Sequence, residues 1–177
     1  MSLPAVECLA EVKQLNPNAD EKAADADLEE HGYHTRPVNI DLERVRRKIR
    51  EANSQLRSVA AETDPCLVVL WTDMMWAPVY FSDENMASVL FGEFNYVTQT
   101  RELHLLGNRT LRRDANTTIS AVCAMKYEEF VAFHNPFAKN PLEPQDLGPL
   151  IDRECWFDFP SPDGSGPSWT TRNRDAG

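Results

Sequence analysis

The segment from Asp41 to Thr72 constrains this chain more than any other. Leu42, Val45, Ile49, Ala52, Leu56 and Val59 recur at intervals of three and four residues, which lines them along one side of an α-helix. Asp41 is a candidate N-cap ahead of that stripe. Thr63-Asp64-Pro65 stops the helix, because proline lacks an amide hydrogen and pushes the preceding residue out of helical geometry. Cys66–Thr72 (CLVVLWT) follows with almost no polar break, the pattern of a strand buried on both faces. Helix, short break and buried strand together predict an α/β layer arrangement.

Upstream, Val6–Leu15 (VECLAEVKQL) predicts another strand. With period 2, Glu7, Leu9, Glu11 and Lys13 share one face and Val6, Cys8, Ala10 and Val12 the other. Asn16-Pro17-Asn18 ends it in a turn. Residues 17–35 are acidic and alanine-rich, so a surface excursion with transient helix is expected: little apolar area is available to offset the ordering entropy. Downstream, Ser82 can cap a short helix with Asp83 and Glu84 in its first turn, Met86, Val89 and Leu90 on one face and Gly92 at its end. Leu103–Leu106 and Thr118–Met125 predict strands joined by a polar, basic turn over 107–116. Phe130–Phe133 is the last short apolar piece. Seven of the twelve prolines lie beyond residue 135, and 159–177 reads as a disordered tail. The expected organisation is a single domain over 1–158, in keeping with a length of 177 residues.

The net charge of -10 argues against a protein whose whole surface coats nucleic acid. The charge is unevenly placed, however. Residues 1–35 carry -6, residues 36–60 carry +4 and residues 61–177 carry -8. No run approaches the roughly 18 apolar residues of a membrane span, and residues 1–10 lack a signal-peptide pattern. Cys8, Cys66, Cys123 and Cys155 are far apart, which reads as reduced thiols in a cytoplasmic protein without a membrane partner.

Glu11-Val12-Lys13 carries the sharpest chemical suggestion. A carboxylate and an ammonium two apart on a strand project from one face, about 6–7 Å apart at Cα. Glu11 is a candidate Mg²⁺ ligand, and Lys13 a candidate to orient an attacking water or neutralise a phosphate. The plain alternative is a surface ion pair on a half-buried strand.

The wider order is a Glu-x-Lys strand, an acidic excursion, a helix with Lys48, Ile49, Ala52 and Leu56, then the buried strand Cys66–Thr72. Leu90-Phe-Gly-Glu93, Ile119-Ser-Ala-Val122 and His134-Asn-Pro-Phe-Ala138 follow. This pattern resembles the second half of the PD-(D/E)XK, or restriction-endonuclease-like, nuclease superfamily across most of 6–142. The resemblance implies a mixed central sheet with flanking helices and Mg²⁺-dependent cleavage of DNA. It implies Glu11 as metal ligand, Lys13 as the catalytic cation and Gln55 near them. It also turns the basic helix, with Lys48, Arg44 and Arg47, toward the DNA backbone; a solvated helix face explains these residues as well. The superfamily's first metal-binding Asp lies on a preceding strand, and none of the ten residues before Glu11 is Asp. The expectation is therefore a scaffold whose first elements are missing. The rival readings are a non-catalytic protein-interaction module, with a protein partner or a homodimer on an uncovered strand edge, and a truncated fragment that retains the nuclease scaffold.

Other candidates carry less. Arg109, Arg112 and Arg113 form a basic turn that could touch phosphate. His31 and His34 lack further ligands for zinc. His134 is expected to serve a turn, and Trp71, Met74, Met75 and Trp76 to pack the sheet end.

Overall fold

In a computed structural model, the described residues are 7–33, 39–74, 76–97, 102–126, 128–143, 147–159 and 168–173. The opening strand β1 (Leu9–Gln14) leads into helix α1 (Ala19–His31), and the long helix α2 (Leu42–Val59) leads into strand β2 (Cys66–Trp71). Short helices α3 (Ala77–Tyr80) and α4 (Asp83–Phe91) precede a hairpin of β3 (Glu93–Val97) and β4 (Glu102–Leu106). Strands β5 (Ile119–Lys126), β6 (Glu129–His134), β7 (Arg153–Asp158) and β8 (Ser168–Asn173) complete the order.

Six strands form one mixed sheet in the order β1-β2-β5-β6-β7-β8, and β3 and β4 form a separate antiparallel pair. β1, β2 and β5 run parallel, β6 returns antiparallel beside β5, and β7 is parallel to β6 and antiparallel to β8. A parallel pair needs a crossover, and α2 lies within the one joining β1 to β2. This is the expected α/β architecture with a mixed sheet.

Alternation along the central strands divides the core. Cys66, Val68 and Leu70 join Val45, Ile49, Ala52 and Leu56 of α2 and Met86, Val89, Leu90 and Phe91 of α4 in the larger cluster. Leu67, Ala121, Cys123 and Ala132 point to the other face, where Leu142, Leu147 and Ile151 pack on them. Three of the cysteines, Cys66, Cys123 and Cys155, are buried as small apolar residues, and burial pushes the Cys123 thiol up to about 12. No described helix is long and apolar enough to cross a membrane.

Caps explain the helix ends. Asp41 Oδ1 accepts from the Glu43 amide at 3.0 Å, and Ser82 caps α4 by accepting from the Asn85 amide at 3.2 Å. Gly92, with φ at 93°, ends α4 in a conformation that L side chains rarely adopt.

Two expectations are corrected. The acidic segment is an ordered helix, closed by a reciprocal capping box between Asn18 and Glu21 and by Gly32 at φ 75°. Its anchor is polar rather than apolar, which is why hydrophobic patterning misses it. Likewise, the expected disorder of 159–177 does not hold for Phe159 or for Ser168–Asn173; residues 160–167 and 174–177 lie outside the described residues. β8 pairs with β7 over its whole length. The Trp169 ring lies 5.1 Å from both Phe133 and Phe157, and its Nε1 donates to the Asp83 carbonyl at 3.0 Å. Phe159 stands edge-on to Phe157 at 5.1 Å.

His134 is also not a turn residue. Its Nε2 lies 3.2 Å from Glu154 Oε1 and its ring stacks on Trp156 at 4.5 Å. The neighbouring Asn135 makes the turn instead, accepting from the Phe137 amide at 3.0 Å and donating to the Ile119 carbonyl at 2.7 Å. At the sheet end Met74 is buried and Trp76 packs on the core, whereas Trp71 stays 36% exposed; Met75 lies outside the described residues.

Because Trp169 is the β8 side chain that packs on the core, Trp169→Ala should lower unfolding free energy by about 3 kcal/mol. Urea denaturation followed by circular dichroism reads this directly. A midpoint unchanged from the parent would mean that the strand adds nothing to the core.

Candidate functional site

β1 is the outermost strand of the sheet among the described residues, and its alternation turns Glu11 and Lys13 toward α2. Lys13 Nζ lies 2.9 Å from Glu11 Oε1, with the lysine side chain 14% exposed and the glutamate 31%. The same ammonium donates to Gln55 Oε1, 42 residues away on α2. Three residues singled out from the sequence thus meet at one point: the strand places Lys13, the helix places Gln55, and Glu11 balances the charge. Such a cluster can present a partly shielded cation to an anionic group, with a carboxylate and an amide oxygen to hold it in position.

The basic block of α2 is distributed differently from an open phosphate-facing stripe. Arg44 points inward. Its Nη1 donates to Glu21 Oε2 at 2.9 Å and Oε1 at 3.1 Å and to the Tyr80 hydroxyl at 3.1 Å, and its Nη2 donates to the Asn16 carbonyl. Arg46 is buried and donates to the Ser88 carbonyl at 3.1 Å and Oγ at 3.2 Å. Arg50 pairs with Glu43. Arg47 and Lys48 face outward, each within 4 Å of Glu51, at 3.8 and 3.7 Å. Arg44 is therefore a structural cation, while Arg47 and Lys48 lie toward the surface beside Glu51. In the other basic turn Arg112 lies 3.4 Å from Asp114.

Sequence reasoning missed the partner of Arg44. Glu21 is fully buried, bonded to Arg44 and to the Tyr80 hydroxyl, while also accepting from the Asn18 amide at 2.6 Å. The available signal was Asn18-Ala-Asp-Glu21, the spacing of a capping box. Burial, and then the hydrogen bond to the Glu21 carboxylate, push the Tyr80 phenol up to about 12.

The donor set for Mg²⁺ is short. Among the described residues no group of three or more His, Cys, Asp or Glu side chains gathers as a metal site. Glu11 brings one carboxylate, with one oxygen already engaged by Lys13. Mg²⁺ takes a near-ideal octahedron of oxygens, so the described side chains do not by themselves fit it. His31 is exposed, 3.8 Å from Glu30; His34 lies outside the described residues.

Removing Glu21 leaves the Arg44 guanidinium buried without its counter-ion, so Glu21→Ala should cost about 3–5 kcal/mol in equilibrium unfolding. Tyr80 makes a second, pH-resolved prediction. Its folded pKa lies above the value near 10 of an exposed phenol, so its contribution to stability is complete below pH 10 and is lost as pH rises to about 12. Melting temperatures from pH 9 to 12 should fall less steeply in Tyr80→Phe than in the parent; parallel curves would remove Tyr80 from the linkage.

Compared with family models, with curated proteins and with solved structures, the chain matches none.

Proposed function

We propose that the chain is a DNA-binding, endonuclease-like domain in which Lys13 meets a backbone phosphate. The convergence of Glu11, Lys13 and Gln55 carries this reading. A Glu-x-Lys strand is the feature by which the sequence resembles the PD-(D/E)XK nucleases, and here the helix carrying Gln55 meets that strand at its lysine. Lys13 supplies the positive charge, and Gln55 and Glu11 fix where that charge sits. Lys48 lies two helical turns before Gln55 and extends the cationic surface along α2. One carboxylate, already engaged by Lys13, is too few to hold Mg²⁺ among the described residues, so the cluster supports phosphate binding ahead of hydrolysis.

The test is fluorescence anisotropy with a labelled duplex across a salt series, on the parent, Lys13→Ala and Gln55→Ala. Parent binding should weaken with salt, and Lys13→Ala should reduce the slope of log K against log[salt] by about one. Absence of salt-dependent binding, or an unchanged slope in Lys13→Ala, would overturn the reading. Plasmid incubation beside it separates binding from cleavage. Nicking that needs Mg²⁺ and disappears in Glu11→Ala would extend the function to hydrolysis.

A further inference from the structure

The outer edge of β1 is open among the described residues. Leu9 and Leu15 donate their amides to the Pro65 and Trp71 carbonyls of the β2 side, each at 3.0 Å, and β1 runs parallel to β2 in unbroken register between them. The odd-numbered residues therefore bond to β2, while the amides and carbonyls of Ala10, Val12 and Gln14 point away from the sheet. No described strand pairs with that side. Val12 is 57% exposed on the face opposite α2, with Trp71 at 36% and Met125 at 46% on the same face of β2 and β5. An unpaired edge with exposed apolar side chains is a template for strand addition.

We propose that this edge pairs antiparallel with β1 of a second copy, about a two-fold axis through Val12. The charges of β1 choose both the partner and the register. Centred on Val12, the pairing sets Glu11 opposite the partner's Lys13 and Lys13 opposite the partner's Glu11. Both pairs occupy the closely approaching, non-hydrogen-bonded positions of the ladder, about 4.5 Å apart at Cα. Val12 and the partner's Val12 then exchange both backbone bonds, as do Ala10 and the partner's Gln14. The neighbouring registers that keep the same amides opposed set Glu11 against the partner's Glu11, or Lys13 against the partner's Lys13, and like charges directly opposite are unfavourable. A sequence of acid, valine, base is its own complement only when run antiparallel against itself.

Arg44 bonds to the Asn16 carbonyl and Gln55 to Lys13, so α2 runs antiparallel to β1. A two-fold axis at Val12 makes the partner's α2 run in the opposite direction on the same face of the joined sheet. The interface is isologous and closes on itself, joining two six-stranded sheets into one. This inference uses the same Glu11 and Lys13 as the DNA reading, but it needs no nucleic acid and is tested without any.

Size-exclusion chromatography with light scattering, in the absence of nucleic acid, tests it. The parent should elute at twice the chain mass. Val12→Pro removes an outward amide without touching the ladder to β2, and should elute at the chain mass with an unchanged circular dichroism spectrum. Glu11→Lys and Lys13→Glu should each weaken self-association on the order of tenfold or more. Mixed in equal amounts they should associate with each other, because every cross-strand pair is again opposite in sign. A parent at the chain mass, or charge variants that dimerise alone as the parent does, or a mixture that fails to associate, would each overturn the proposal. The mixing result does not depend on how well Val12→Pro folds.

Discussion

The seating of α2 on the β1–β2 pair is the contact on which the other features depend. Val45, Ile49, Ala52 and Leu56 are buried against Cys66, Val68 and Leu70, each large side chain contributing about 1.5–3 kcal/mol. Because that stripe occupies one side of the helix, its two flanks are assigned at the same time. One flank places Gln55 over Lys13. The other sends Arg46 to Ser88 on α4 and so sets the angle between the two helices. A helix rotated by one residue would lose both connections.

Charge inside the fold acts as a positioning device. Arg44 reaches back to the Asn16 carbonyl after β1 and across to Glu21 of α1, so a helix with little apolar surface is still tied to the core. Arg153 does the same at the far end, forking onto both Asp83 oxygens at 2.8 Å and onto Glu129 at 2.9 Å. It thereby joins β7 to the first turn of α4 and to β6. Buried ion pairs return little net stability because both partners lose hydration, but removing one partner is costly. They specify which elements meet.

This division explains what could be read in advance. α2, its Asp41 cap and β2 follow from period and capping within a few residues of each other, and Ser82 with α4 likewise. Glu11 and Lys13 were legible as a pair because strand periodicity alone puts them on one face. Gln55 was legible only through resemblance, since nothing local ties it to a residue 42 positions away. Arg44 looked like its basic neighbours, and its inward direction depends on Glu21 and Tyr80, which belong to other elements. β3 and the Arg153–Asp158 and Ser168–Asn173 strands lacked a clean signal. β7 has only the three-residue apolar run Cys155–Phe157 between polar ends, and β8 is mostly exposed apart from Trp169.

By itself, the sequence determined the α/β class, the amphipathic helix, the buried strand and the facing of Glu11 with Lys13. Each is a local consequence of side-chain spacing along a regular backbone. Tertiary structure alone decided the strand order, the ordering of the acidic helix, the docking of β8 and the place of β1 as the outermost described strand. Those outcomes rest on partners distant in the chain: Glu21 with Arg44 and Tyr80, Trp169 with Asp83, β1 with β2. Spacing along the chain sets the face a residue presents, but only the packed sheet sets what lies opposite that face.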